Sequence, residues 1–339
     1  MRIHWIDNAK AICILLVVLG HAKGLDAFIY KYIYSFHMPL FFFLSGYLLN
    51  KHRLENGFSS FAKYQFQKLI IPYLTFWVIS YIYWMPTHAL QQQVSSSAQL
   101  KWYDPFIGIL YGTANYLYVN VELWFFTCLF TTSLFLFIIQ KSLGKFNWFS
   151  FLTILTSSLA FAYIYNEPRL RLPWNIDISI VAFIFYSLGF LLKERDIITN
   201  ALINSYKLNI LGFILLSIIL FFVVNISGRA SMSQMSYQNP FLFLVTSLVG
   251  IMSVLCISKI IPRNRYFEWL SRNTIVIFPL HTIFFSIFTG IGVIVFKLPY
   301  NFKEHYIFII VYVFAAIMLC IPITFFIRKY APALIGYRR

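Results

Sequence analysis

Apolar residues in this chain gather into long runs broken by short polar segments, and they do not alternate with polar ones over any extended stretch. The runs cover approximately residues 6 to 25, 32 to 49, 69 to 87, 123 to 140, 148 to 165, 176 to 192, 208 to 226, 240 to 261, 273 to 296 and 305 to 327. A helix needs roughly 20 mostly apolar residues to cross the hydrocarbon of a bilayer, and a membrane strand needs only about half that. The pattern predicts an all-α polytopic membrane protein, a bundle of about ten transmembrane helices. With the N-terminus in the cytoplasm, 19 of the 27 basic residues fall on the cytoplasmic side and 8 outside, so the positive-inside rule places both termini in the cytoplasm. No Pro/Gly/Ser linker interrupts the series, and a single transmembrane domain over residues 1–339 is expected.

Composition agrees. Hydrophobic residues make up 60% of the 339 and charged residues 11%, against roughly 25% charged in an ordinary soluble domain. The net charge of +16 would suit nucleic acid, but the basic residues sit in short clusters between apolar runs, which marks them as topology signals; no nucleic-acid partner is expected. Cys13, Cys128, Cys256 and Cys320 all lie inside apolar runs without metal-ligand spacing, so neither a disulfide framework nor a metal site is predicted. The first run follows Arg2 as a signal peptide would, yet it carries three ionisable residues and no clear cleavage site, and is expected to be retained. The longest outer segment, roughly 88 to 122, starts with the polar Gln91 to Ser97 and turns aromatic through Tyr111, Tyr116 and Tyr118, as an interfacial belt or as a surface that stacks on a sugar ring.

The chemistry concentrates in the first run, which holds Asp7, Lys10 and His21. Ionisable groups inside membrane helices are costly and normally face the protein interior, paired or at work. Lys10 and His21 are eleven residues apart, close to three helical turns, so they share one face about 16 Å apart along the axis. Histidine suits general-base chemistry because its free pKa lies near neutrality. His21 is therefore a candidate base, reached by an acyl thioester whose charged end meets Lys10; the plainer alternative is a snorkelling lysine and a helix-packing histidine. Lys68, with Lys63 nearby, sits at the cytoplasmic start of the third run just before Pro72, as a phosphate contact or as a solvated flank. Glu122 opens the fourth run beside Trp124 and is either a favourable charge at a helix N-terminus or an orienting carboxylate for His21. Asp177 opens the sixth run with the same ambiguity, and His281 and His37 are buried histidines with a structural or a site role.

At these residues the sequence resembles the acyltransferase type 3 family of bacterial membrane acyltransferases, nearest its polysaccharide O-acetyltransferase and fucose 4-O-acetylase-like branch. The resemblance rests on Asp7, Lys10 and His21 in order, on the run from Phe36-His37-Met38-Pro39 to Ser45-Gly46-Tyr47, on Lys68-Leu69-Ile70-Ile71-Pro72-Tyr73, on Glu122-Leu123-Trp124-Phe125, on Asp177 with Phe185-Tyr186-Ser187-Leu188-Gly189, and on Asn273-Thr274 leading to His281. It implies transfer of an acetyl group from acetyl-CoA, as co-substrate, to a hydroxyl of a cell-surface polysaccharide or its lipid-linked precursor in a bacterial inner membrane. It implies His21, Glu122 and His281 as catalytic residues, Lys10, Lys68 and Asp7 at the CoA, and Asp177, His37 and Trp124 at the acceptor. Gln65 and Lys68 stand where the family commonly carries two arginines, and Phe278 stands where a tyrosine is frequent. A soluble transferase domain borne by many relatives is not expected here, so the chain acylates its acceptor itself or passes the group to a partner; self-association is left open. Succinyl transfer is the alternative within the enzyme class, and a polysaccharide-intermediate flippase is the rival outside it.

Overall fold

The computed structural model describes residues 3–94, 100–144, 146–199 and 205–336. Arg2, Lys145, Arg338 and Arg339 of the cytoplasmic basic set, residues 95–99 of the polar outer stretch and the side chains of Gln91 to Gln93 lie outside the described residues. The chain forms α1 (His4–His21), α2 (Ala27–Tyr34), α3 (His37–Tyr47), α4 (His52–Glu55), α5 (Phe58–Gln65), α6 (Ile71–Val94) and α7 (Asp104–Tyr111). It continues with α8 (Trp124–Leu143), α9 (Trp148–Ile164), α10 (Ile176–Glu194), α11 (Tyr206–Ser227), α12 (Pro240–Ile260), α13 (Arg265–Ile294) and α14 (Tyr306–Tyr330). A two-residue hairpin, Ala230–Ser231 with Ser236–Tyr237, is the extent of sheet among the described residues.

Seven of these helical units are long and apolar enough to cross a membrane: Phe58–His88 and the helices ending at Leu143, Glu194, Ser227, Ile260, Ile294 and Tyr330. Their outward faces confirm the solvent. Ile226 on α11 is 71% exposed and Ile310 on α14 is 66% exposed, in helices that are apolar all round, and water does not tolerate such surfaces while lipid does. The chain is an all-α polytopic membrane protein. The other three expected spans are helical too, but shorter: the 18-residue α1, the 17-residue α9, and the second run, which breaks at Ser35-Phe36 into α2 and α3.

Helix α1 is the hub. It packs on α13, α12 and α3, and Ala9, Ala11, Cys13, Ile14, Val17 and Val18 are fully buried along it. Helix α3 in turn lies against α10 at backbone contact distance: a Cβ on Gly46 would stand 1.9 Å from the Tyr186 carbonyl oxygen, and one on Gly189 would stand 2.1 Å from that of Phe43. Lipid gives helices no hydrophobic reason to associate, so close packing through small residues is what joins this pair. Between α5 and α6, Phe66–Ile70 is a π-helical turn carrying Lys68. Pro72 has no N–H to offer the Lys68 carbonyl, and the widened turn is the local answer.

Candidate active site

Two ends of α1 carry two different environments. At its C-terminal end, His21 Nδ1 lies 2.8 Å from the Val17 carbonyl oxygen, and its Nε2 lies 3.0 Å from Glu122 Oε2. A carbonyl only accepts, so Nδ1 carries a proton and donates it. Nε2 is thereby the nitrogen available for chemistry, and an imidazolium formed by protonation there would be paired directly with the Glu122 carboxylate. Glu122 reaches this position because Val121–Leu123 forms a 3-10 turn ahead of α8, preceded by the extended Asn120. Asn120 Nδ2 donates to Ser80 Oγ at 2.9 Å and to the Pro279 carbonyl at 2.7 Å, which ties that turn to the proline-bearing part of α13.

His281 is two residues beyond Pro279. Its ring centroid is 5.0 Å from that of His21, and its Nδ1 lies 3.2 Å from the Ile277 carbonyl oxygen. His37 repeats the arrangement, with Nδ1 2.7 Å from the Ile33 carbonyl oxygen and its ring 4.8 Å from Tyr34, which in turn lies 6.2 Å from His21. All three histidines thus donate Nδ1–H to the carbonyl four residues back and leave Nε2 as the outward lone pair. Among the described residues the buried Nε2 of His281 has no hydrogen-bond partner. A cavity of about 460 Å³ opens onto His21 and Glu122, walled by Tyr83, Thr87, Ser286 and Thr289 among others.

At the N-terminal end of α1, Lys10 Nζ donates to the Ser271 carbonyl at 2.9 Å, and the Ser271 hydroxyl donates to Asp7 Oδ1 at 2.6 Å, so both ionic groups of α1 meet at one residue of α13. Lys10 lines a cavity of about 660 Å³ with Arg53, Lys63, Lys68 and Arg272, the last of them 3.7 Å from Glu268 Oε2. The Arg53 guanidinium stacks 4.3 Å above the Tyr64 ring centroid, and Lys68 Nζ lies 5.9 Å from the same ring. An adjoining cleft of about 160 Å³, also touched by Lys10 and Lys68, runs to Phe41, Phe125 and Phe278. Those rings pack together at centroid distances of 5.7, 6.1 and 5.2 Å, and Phe278 is 6.4 Å from His281. The cleft shares no lining residue with the His21 cavity, so in this conformation the aromatic group partitions them.

The structure therefore brings together His21, Glu122, His281 and His37, and separately Asp7, Lys10 and Lys68. It does not bring Asp177 to either place. Asp177 is fully buried and accepts from Arg171 Nε at 2.5 Å and Nη2 at 3.3 Å, while the Arg171 carbonyl accepts from the Tyr111 hydroxyl. Trp124 is buried, its carbonyl accepting from Asn175, and it lines none of these three cavities. Arg53, Arg272 and Asn120 are residues that reading the sequence missed; Arg272 directly precedes the Asn273-Thr274 pair, and that adjacency was the available signal. Asn273 itself accepts from Arg328 Nε at 2.8 Å and so fastens α14 to α13. Among the described residues no cluster of His, Cys, Asp and Glu could hold a metal ion.

Residues 3–329 match the profile of a family described as an acyltransferase domain. The chain belongs to the acyltransferase type 3 family. Relatives of this chain include nodulation protein NolL of Mesorhizobium japonicum, 29% identical over 218 residues that make up 59% of this chain and 50% of the relative. Nodulation protein NolL of Sinorhizobium fredii is 28% identical over 203 residues, 56% of this chain and 48% of the relative. The chain spans about half the length of the curated relatives it matches. No solved structure matches it.

Proposed function

We propose that this acyltransferase moves an acetyl group from cytoplasmic acetyl-CoA to a hydroxyl of a cell-surface polysaccharide or its lipid-linked precursor. It would do so as one domain of about ten spans in a bacterial inner membrane, with both termini in the cytoplasm. The observation that carries the reading is the pairing of a cation-lined cavity and a His21–Glu122 cavity at opposite ends of one buried helix. Lys10, Arg53, Lys63, Lys68 and Arg272, clustered around one cavity, suit the phosphates of CoA. The narrow, mostly apolar cleft beyond them suits its uncharged arm, and rotation of the Phe41, Phe125 and Phe278 rings admits the thioester to the histidines.

His281, expected to line the same cavity, is fully buried and does not line it, backing His21 instead with its ring 5.0 Å away; the acceptor hydroxyl enters from that cavity to His21. Its oxygen attacks the thioester carbonyl carbon while its proton passes to the His21–Glu122 pair. The carbon–sulfur bond then breaks, and the same proton returns to the leaving thiolate. Glu122 stabilises the imidazolium formed on the way, and the Val17 carbonyl holds the ring in the tautomer that presents Nε2. Mass spectrometry of surface glycan from cells with and without the protein tests the reading, because it identifies acyl group and acceptor together. A glycan without acyl groups in both samples, while the protein is inserted and folded, overturns it.

A further inference from the structure

We propose that the His21 cavity carries an anion-binding subsite built by Lys303 and Lys23, so that the acceptor presents an acidic group, a carboxylate or a phosphate, beside the hydroxyl that is acylated. This rests on the acyl-transfer reading above and narrows its substrate class. Both lysines line the same cavity as His21 and Glu122. Lys303 is only 9% exposed, with Nζ 3.3 Å above the Tyr300 ring centroid. A ring face is a partial counterpart for a buried ammonium, and a full one needs an anion. Among the described residues the wall supplies none: Glu122 is the one carboxylate there and is held by His21 at 3.0 Å. Among the described residues no carboxylate forms an ion pair with Lys303 or Lys23.

The two cations are held at one rim by the fold. Gly24, at φ +85°, lets the chain leaving α1 lie directly on the Tyr300–Glu304 turn, where a Cβ would stand 2.2 Å from the Glu304 carbonyl oxygen. The turn is anchored from within by buried Phe302, whose ring lies 4.9 Å from Phe308. Lys23 is therefore set next to Lys303, two residues past the proposed base. The same cavity also presents hydroxyls: Tyr83 donates to Ser286 Oγ at 2.8 Å, and Thr289 Oγ1 is 3.0 Å from the Tyr312 hydroxyl. Paired cations beside a row of hydroxyls match a sugar with an acidic substituent, or a sugar still joined to a phosphorylated lipid carrier.

The test is equilibrium binding of three probes to the purified full chain in detergent: a uronic-acid oligosaccharide, the same oligosaccharide with its carboxyls reduced to alcohols, and a prenyl diphosphate. At least one anionic probe is expected to bind about tenfold more tightly than the neutral one. Lys303→Met should erase that preference, Lys303→Arg should keep it, and Lys23→Met, at an exposed position that tolerates change, should lower it about threefold. Lys297→Met serves as a surface control. Dependence of the oligosaccharide on Lys303 assigns the anion to a sugar carboxylate, and dependence of the prenyl diphosphate assigns it to the carrier. Equal binding of charged and neutral probes, or a preference that survives both Lys303→Met and Lys23→Met, overturns the proposal. Transfer from labelled acetyl-CoA, measured on the same preparations, separates the two failures: transfer without charge preference removes the subsite alone, whereas charge preference without transfer removes the catalytic reading alone.

Discussion

Neutralising Lys68 isolates the contribution of the cation-lined cavity to donor binding. A cavity of about 660 Å³ has the volume of a sphere of about 5 Å radius, so a phosphate inside it lies roughly 6 Å from each rim cation. Lys68 is exposed and the cavity is open to water, so an effective dielectric of about 40 to 80 applies. Coulomb's law then gives about 0.7 to 1.4 kcal/mol for one cation and one phosphate charge, a factor of about 3 to 10 in affinity. Lys68→Met is expected to raise the KM for acetyl-CoA by that factor while leaving kcat in place, since a charge that serves ground state and transition state equally contributes only to KM. Transfer of label from acetyl-CoA and from S-acetylpantetheine, which lacks the nucleotide and its phosphates, should be compared for both proteins. The variant should be impaired for acetyl-CoA and unchanged for the fragment, and at about 1 M salt, where screening acts within about 3 Å, the difference should vanish. An equal loss with S-acetylpantetheine would place the effect of Lys68 in folding or in the acyl pocket and refute the electrostatic reasoning.

Three further outcomes follow from the geometry. Glu122→Gln puts an amide donor against His21 Nε2 in place of the carboxylate at 3.0 Å, occupying the lone pair the hydroxyl needs, and kcat should fall about 10²- to 10⁴-fold with the donor KM little changed in steady-state assays. Phe278→Ala removes a ring from the partition between the two cavities, so hydrolysis of acetyl-CoA without acceptor should rise several-fold; an unchanged hydrolysis rate would count against those rings as the barrier. Arg171→Met leaves fully buried Asp177 without its charge partner and should cost about 3 to 5 kcal/mol, read as a lowered melting temperature in detergent, with much of it recovered in the Arg171→Met/Asp177→Leu double variant.

Much of the fold was legible because lipid imposes one rule on every span, and that rule writes itself into run lengths. The break between α2 and α3 was passed over although its signal is local: Pro39, in the first turn of α3, has no N–H to offer the Ser35 carbonyl, which accepts instead from the Ser247 hydroxyl at 2.7 Å. At the site, the face shared by Lys10 and His21 followed from helical periodicity alone. The meeting of His21 with Glu122 was expected from depth, and the structure supplies its reason in the 3-10 turn held by Asn120. Asp177 shows where depth misleads: an acid opening a span looks the same whether it faces a cavity or a partner. Here Arg171, six residues earlier, was the signal to weigh. Apart from the adjacency of Arg272 to Asn273-Thr274, the gathering of Arg53 and Arg272 around Lys10 had no signal, because positive-inside flanks and ligand-binding cations have identical sequence signatures.

The most direct measurement is transfer of radiolabelled acetyl from acetyl-CoA to isolated surface glycan by purified wild-type protein and by a His21→Ala variant with the same elution profile and melting temperature. Label should appear in the glycan with the wild type and fall at least a hundredfold with the variant. Equal labelling by the two proteins would contradict the assignment of the opening helix's imidazole as the proton acceptor.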